Sequence, residues 1–394
     1  MKNNKFNLYF WGSISIIFLI GFLFWLFYFR FHKFTRDSYV MGNQIVLTPL
    51  HDGFVTAIYS DDTFLVKKGD LLIQLDESDA KLAFDKAKEQ LANTTREICQ
   101  MYHQLFAWQA EIQVREAEYI KASQDMQHRD DVIDQGGVSI ENYEHAQAAL
   151  KASYFLLQMT KSFYEKEKAF LQGVSIHNHP LIVKAIDEFR DAWLYLYRCK
   201  IYAPNDGIVA QRTIQVGMHV KQGEPLLAII PLDQIWVNAN YKETQMAKMR
   251  IGQKVLLRSD FYGPSVFFHG TIVGLPGGAG NAFSILPPQN LSGNWIKIVQ
   301  RLPVRIALDS SELQQYPLRI GLTMTANTDI SNTSGLMVPI NTIGSPNYIT
   351  SVFEKEENGS LEFANDVFYQ NLDPLLITYA DNPLMIEEEF SNEG

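Results

Sequence analysis

Two cysteines in 394 residues, Cys99 and Cys199, exclude a disulfide framework. Basic residues are also few: 34 Lys and Arg face 44 Asp and Glu, for a formal net charge of -10. With no basic stripe along the chain, nucleic acid is excluded as a partner, because affinity for phosphates rests on clustered Lys and Arg. The sequence carries neither a nucleophile paired with a base nor a phosphate-cradling glycine loop. Its glycine cluster, Gly277-Gly278-Ala279-Gly280, lacks the strand, spacing and acidic partner of a dinucleotide site and reads as a flexible loop. His177 and His179 flank Asn178 without any Cys, Asp or Glu cluster, so they read as a polar break rather than metal ligands. These absences point to a chain that is not an enzyme and uses no cofactor, metal or catalytic residue. What is present is 46% hydrophobic residues, enough for a sizeable core and too many for wholesale disorder.

Residues 8–29 carry no charge and are rich in Ile, Leu, Phe and Trp. At 1.5 Å per residue they make a helix of about 33 Å, the thickness of a bilayer's hydrocarbon core, and are expected to form a transmembrane anchor. Phe29-Arg30-Phe31-His32-Lys33 follows, with no small-residue cleavage site, so the segment is expected to remain attached. Gly12, Ser13 and Gly21 offer a close-packing face for another helix. Lys2 and Lys5 precede the span while Arg30, Lys33 and Arg36 follow it, and that count taken alone would place the large domain in the cytoplasm.

One pattern occurs twice. Gly53-Phe54-Val55 is followed by Val66-Lys67-Lys68-Gly69-Asp70-Leu71-Leu72, and Gly207-Ile208-Val209 by Val220-Lys221-Gln222-Gly223-Glu224-Pro225-Leu226-Leu227, with equal spacing between the two glycines of each copy. Equal spacing means two copies of one supersecondary unit, each of about 25 residues and too small to bury a core alone. The halves must pack together, with the intervening chain looping out and back.

That intervening chain has a different period. Phe84, Leu91, Ile98, Leu105, Ile112, Tyr119, Met126 and Ile133 recur every seventh position, and Ala87, Met101, Trp108 and Ala122 fall three places later, as in a coiled-coil seam. Gln135-Gly136-Gly137 ends this arm, roughly residues 78–135 and about 85 Å long, and Ser139 restarts a helix as a cap, followed by Glu141 and Asn142. On the return, Tyr143, Leu150, Leu157, Tyr164 and Leu171 form one row, with Ala149, Leu156, Phe163 and Phe170 expected beside it. Residues 173–180 interrupt the return, with Asn178 as cap and Pro180 in the first turn of a last helix that runs to about Arg198. Cys99 lies about 30 Å up one arm and Cys199 at the base of the other, so both are expected to be free thiols.

Beyond the repeat, 242–249 reads as a short helix closed near Gly252. Segments 253–258, 266–273, 295–299 and 304–308 read as strands of a small β barrel, joined by 39–47. The chain after Asp329 is rich in Pro and Asn and ends near Glu387-Glu388-Glu389, which reads as a solvated, partly mobile tail.

The half-motifs resemble the two halves of a biotinyl/lipoyl domain. A carrier of that family holds a modified lysine at a tight turn between the halves, a turn that the hairpin replaces here. The full order of anchor, half-motif, hairpin, Ile201-Tyr202-Ala203-Pro204-Asn205-Asp206-Gly207-Ile208-Val209 and later β segments resembles the HlyD-type membrane fusion proteins, and within them the EmrA branch. The closer likeness rests on Asp37-Ser38-Tyr39-Val40 with Gly42-Asn43-Gln44, on Val237-Asn238-Ala239-Asn240-Tyr241-Lys242-Glu243-Thr244-Gln245, on Ala282-Phe283-Ser284-Ile285-Leu286-Pro287, and on the stretch from Gly293-Asn294-Trp295 to Val304-Arg305-Ile306. It spans roughly residues 8–330.

The resemblance implies an elongated fold of mixed α and β. Residues 1–7 would be cytoplasmic and 8–29 the anchor. A first lipoyl half-motif with an adjoining barrel strand would occupy 37–76, the α-helical hairpin 77–200, the second half-motif 201–231, the barrel 232–330 and the acidic tail 331–394. It also implies an inner-membrane protein of a Gram-negative bacterium with its bulk in the periplasm, against the simple charge count. The implied function is that of a periplasmic adaptor in a tripartite multidrug efflux pump. Its implied partners are a major-facilitator exporter in the inner membrane, a TolC-type channel in the outer membrane, the lipid bilayer and further copies of itself.

Related adaptors carry at the hairpin tip an Arg, an aliphatic residue four positions on and a Ser after the turn, matched in kind here by Arg129, Ile133 and Ser139. The turn is one residue shorter than that pattern. Arg129 reads equally as a solvated seam residue and Ser139 as a plain helix cap. Two rival functions share parts of the pattern: the adaptor of an ATP-driven type I protein secretion system, and a biotin- or lipoate-dependent enzyme subunit.

Overall fold

The computed structural model describes residues 3–279, 299–338, 346 and 348–383. The chain opens with α1 (Asn3–Phe31), then β1 (His32–Gly42), β2 (Ile45–Leu47), β3 (Gly53–Ile58), β4 (Leu65–Val66) and β5 (Leu71–Leu75). Three long helices follow, α2 (Ser78–Ile133), α3 (Ile140–Leu171) and α4 (Pro180–Tyr197). Next come β6 (Lys200–Tyr202), β7 (Gly207–Ala210), β8 (His219–Val220), β9 (Leu227–Ile230), β10 (Ile235–Lys242), β11 (Lys254–Ser259), β12 (Phe267–Gly274) and β13 (Arg301–Leu308). The described chain closes with α5 (Ser310–Gln315), β14 (Thr323–Asp329), α6 (Ser360–Asn371) and α7 (Thr378–Asp381). It divides into two compact units, Met1–Gln74 with Ile201–Val352, and Leu75–Lys200 with Phe353–Gly394.

In the first unit the repeat becomes two four-stranded sheets, ordered β2-β9-β7-β4 and β6-β5-β3-β8. The halves exchange strands: Gly53 of the first copy lies opposite Val220 of the second, and Gly207 of the second opposite Val66 of the first. Val55, Val66, Leu72, Ile73, Val209, Val220 and Leu226 are buried and supply the core that neither half has alone. The expected barrel strand over 39–47 is divided in the structure. Residues up to Gly42 belong to the barrel, whereas β2 pairs with β9 of the repeat, Ile45 opposite Ile229.

The barrel closes in the order β1-β10-β13-β12-β11-β14. Period-two alternation turns Val237, Ala239 and Tyr241 of β10 and Val255 and Leu257 of β11 inward, where they meet Phe268, Ile272, Val304, Ile306 and Met324. Tyr241 is buried with its hydroxyl 2.7 Å from Thr328 Oγ1, which satisfies both polar groups, and burial pushes its phenol up to about 12. The short helix expected over 242–249 is a 3-10 turn, Glu243–Lys248. Of the expected strand 295–299, positions 295–298 lie outside the described residues, as do Gly280, 282–287, the first six residues (293–298) of the matched stretch that begins at Gly293, and Glu387-Glu388-Glu389. Among the described residues no helix is long and apolar enough to cross a membrane. The anchor expected over 8–29 is therefore not established by the fold.

The second unit is built on α2, whose 56 residues make about 84 Å of helix. Its seven-residue row is the inner face: Leu91, Ile98, Leu105 and Ile112 are buried, and Phe84, Tyr119, Met126 and Ile133 half-buried. On α3 the row Leu157, Tyr164 and Leu171 is buried as expected, but its companion row is not. Ala146 and Thr160, with half-buried Ser153, fill the seam instead, while Leu156, Phe163 and Phe170 are exposed. The hydroxyls enter the seam because each bonds its own helix, Ser153 Oγ to Leu150 O at 2.9 Å and Thr160 Oγ1 to Leu156 O at 3.0 Å.

At the break in the descending arm the cap of α4 is His179, not Asn178. Nδ1 of His179 accepts the Leu181 N–H at 3.3 Å while its Nε2 donates to Phe170 O at 3.2 Å. Asn178 instead bonds Ser175 Oγ at 2.8 Å, and His177 Nε2 lies 3.0 Å from Asn365 Oδ1. Both cysteines are free and buried. Burial raises both thiols, that of Cys199 to about 11, which leaves little reactive thiolate.

The solvated tail expected from 331 is corrected over residues 352–381, whereas 331–338 are exposed save for half-buried Gly335. α6 packs against α2 and α4 with Ala364, Val367 and Phe368 buried, and Leu372, Leu376 and Ala380 continue the same core. The segment's acidic and Asn-rich composition conceals an apolar face spaced at helical period, which burial against the hairpin outweighs.

Candidate functional site

The turn that joins the two long arms is fastened by backbone bonds: Gln135 and Gly137 N–H donate to Val132 O at 3.2 and 3.0 Å, and Gly136 N–H to Ile133 O at 3.0 Å. These bonds satisfy carbonyls that the end of α2 would otherwise leave free. Ser139 is exposed and caps α3, its Oγ accepting the Asn142 N–H at 3.3 Å. Ile133 is the last residue of α2 and half-buried.

Arg129 lies one turn below. Its Nη1 donates to Asp125 O at 2.7 Å and stands 3.8 Å from Asp125 Oδ2, with its side chain 35% exposed. It lines a groove of about 340 Å³ between the arms, together with Glu118, Lys121 and Asp125 from α2 and Asn142, His145 and Ala146 from α3. Ile133 and Ser139 do not line this groove. The three sequence-derived residues therefore sit at two levels: Arg129 in a polar groove, Ile133 and Ser139 at the turn. All three keep a local structural duty.

Sequence reasoning missed the clasp that closes the tip. Tyr143, read there as a seam residue, donates its hydroxyl to Asp130 Oδ1 at 3.0 Å across the turn. That carboxylate holds the Tyr143 phenol above its ordinary value. The available signal was a pair of an acidic residue one turn before the break and a tyrosine one turn after the cap. Lower down, Lys161 of α3 meets Glu116 of α2 at 2.9 Å, and Trp108 stacks on Phe163 with ring centroids 5.0 Å apart.

These features form no catalytic constellation. They define a mechanical part, a long helical hairpin inserted into a split β domain and followed by a β barrel, which is the plan of a membrane fusion adaptor. The family model described as the EmrA alpha-helical hairpin domain matches residues 78–199. The multidrug export protein EmrA of Escherichia coli (strain K12) is 41% identical over 313 residues, 79% of this chain and 80% of that protein. EmrA of Haemophilus influenzae is 37% identical over 361 residues, 91% of this chain and 93% of its own length. The probable multidrug resistance protein EmrK of Escherichia coli (strain K12) is 43% identical over 298 residues, 76% of this chain and 77% of that protein. A solved structure of the periplasmic adaptor protein EmrA covers 76% of this chain and 98% of its own, at 16% identity and a TM-score of 0.39. The chain belongs to the EmrA family of membrane fusion proteins.

Proposed function

We propose that this protein is the periplasmic adaptor of a multidrug efflux pump, and that it links a major-facilitator exporter of the inner membrane to a TolC-type channel of the outer membrane. The observation that carries this reading is the α2–α3 hairpin: an arm of about 84 Å, continuous through 56 residues, has a reach that a soluble binding module does not need. α1 serves as the anchor, with its N-terminus cytoplasmic and the two units in the periplasm. Its sequence is uncharged over 8–29, and Trp11, Ile17, Phe18 and Ile20 are more than half exposed, a state that lipid tolerates and water does not. Leu156 and Phe170, exposed on α3, support packing of several copies side by side. Arg129, Ile133 and Ser139 form the channel-contact region of the tip. Energy for transport comes from the exporter.

The test is purification of the tagged chain from cross-linked membranes, with the partners identified by mass spectrometry and drug resistance scored in parallel. Recovery of a major-facilitator exporter and an outer-membrane channel is expected. Recovery of an ATP-binding transporter with a secreted protein would replace this reading with that of a type I secretion adaptor.

A further inference from the structure

The descending arm is discontinuous between α3 and α4, over residues 172–179. Such a break exposes backbone N–H groups and uncovers the apolar face of α2 beside it. Both deficits are met from far along the sequence. The Ile176 and His177 N–H groups donate to Tyr379 O at 3.0 Å and Ala380 O at 2.9 Å. The Tyr379 ring lies 5.8 Å from that of Tyr102 and 6.1 Å from that of Phe106, both on α2, so one residue bridges the break and the facing arm. Cys99, on the same face of α2, is buried in one core cluster with Leu372, Leu376 and Ala380 of that C-terminal segment.

The segment leading to Tyr379 is fixed along its length. Phe363 stacks on Phe189 of α4 at 5.8 Å, and Phe368 is fully buried. Polar ties run along the edges: Arg198 to Glu356 at 2.8 Å, Arg190 to Glu357 at 2.9 Å, Arg96 to Asn371 at 2.6 Å and His103 to Asp373 at 2.8 Å. The first two ties hold the segment to α4 and its C-cap and the last two hold it to α2, so the segment joins one arm to the other.

We propose that residues 353–381 act as a splint across the discontinuity of the descending arm, and that seating of this splint sets the stiffness of the hairpin's lower part. Without it, 172–179 is a hinge between α3 and α4. With it, the missing turn of the arm is replaced by carbonyls and aromatic rings from the C-terminal segment. This inference is independent of the efflux reading, because its readouts need the detergent-solubilised full-length chain alone.

Cys99 lies under the splint, whereas Cys199 is buried at the arm's base with its Sγ 3.5 Å from Tyr195 O. Maleimide labelling, resolved by mass spectrometry, therefore separates local release from general unfolding. In Phe368→Asp, Cys99 is expected to react at least about tenfold faster than in the wild type, with Cys199 still protected and hydrogen exchange accelerated at Ile176 and His177. Wild-type protection of Cys99 in that variant would overturn the splint. Should Phe368→Asp label both cysteines because the unit unfolds, the milder Tyr379→Ala decides: release of Cys99 alone supports the proposal, and release of both or neither overturns it.

Discussion

The backbone N–H of Lys68 donates to Asp206 Oδ1 at 2.7 Å. Its mirror exists: the Gln222 N–H donates to Asp52 Oδ1, also at 2.7 Å. Each acid stands immediately before the first glycine of one repeat copy and fastens the turn of the other. Each turn also carries a glycine with positive φ, 91° at Gly69 and 79° at Gly223, whose N–H reaches the partner half at Ala203 O and Pro49 O. The repeat is thus a mutual clasp. Asp52→Ala and Asp206→Ala are expected to cost about 1 kcal/mol each, by the same mechanism and to similar extent. Thermal melts of the two variants check this, and a silent member of the pair would reduce the symmetry to a likeness of shape.

Gly207 tests the strand exchange itself. A Cβ at this position would lie 2.6 Å from both Ile229 Cγ2 and Ile230 O, and the latter is backbone that cannot swing aside. Gly207→Ala is expected to destabilise the first unit by about 1–3 kcal/mol, the usual cost of overpacking. Because Gly207 belongs to the first unit and the hairpin to the second, a denaturant melt should show the loss in the β unit, with the helical far-UV signal of the second unit retained.

The seven-residue row of α2 and the equal glycine spacing were legible because each is set by geometry that repeats. Four features were not. The inner face of α3 uses Ala146, Ser153 and Thr160; the Ser153 and Thr160 hydroxyls bond their own helix and so enter a seam that an apolar pattern assigns to Leu156 and Phe163. β2 follows β1 after two residues yet belongs to another sheet, a choice made by its tertiary partner β9. The splint is hidden because Phe363, Val367 and Phe368 sit among Glu, Asp and Asn. At the tip, Ser139 was legible as a cap, while the Asp130–Tyr143 clasp depends on a turn conformation that the sequence does not specify.

His179 joins the two helices of the descending arm through both ring nitrogens. His179→Ala removes the cap and leaves the Phe170 carbonyl and Leu181 amide without these partners in a part-buried site, at an expected cost of about 1 kcal/mol. His179→Asn restores the capping acceptor and should recover part of that loss. Equal melting of the two variants would show that the cap contributes nothing.

Asp373 gives the splint a sign with respect to pH. Its carboxylate accepts the Leu375 N–H at 2.8 Å and pairs with His103 at 2.8 Å, and both contacts hold its pKa below the ordinary value of 3.8. A carboxyl depressed in the folded state contributes stability that is complete above its unfolded pKa and is lost as pH falls through its folded one. The stability difference between wild type and Asp373→Asn should therefore be present at pH 7 and shrink below about pH 4. Trp193, whose Nε1 donates to Glu356 O at 3.0 Å on the splint, provides the fluorescence readout. A difference that stays constant down to pH 3 would remove Asp373 from the attachment.

The tip prediction separates contact from folding. Aspartate is a good helix cap and its charge suits a helix N-terminus, so Ser139→Asp should preserve the bond to Asn142 and leave the melting temperature unchanged. Arg129→Asp removes one of the cations that line the groove, leaving Lys121, and sets a new acid beside Asp125, with a stability cost within about 1 kcal/mol at a partly exposed site. If the tip meets the channel, the double variant should fold normally yet lose both drug resistance and cross-linking to the outer-membrane partner. Unchanged resistance and cross-linking would confine Ser139 to capping and Arg129 to the solvated seam. Fold and function part at these two positions because Asp serves the helix as well as Ser does, whereas a partner surface matched to a hydroxyl and a guanidinium would meet two added negative charges.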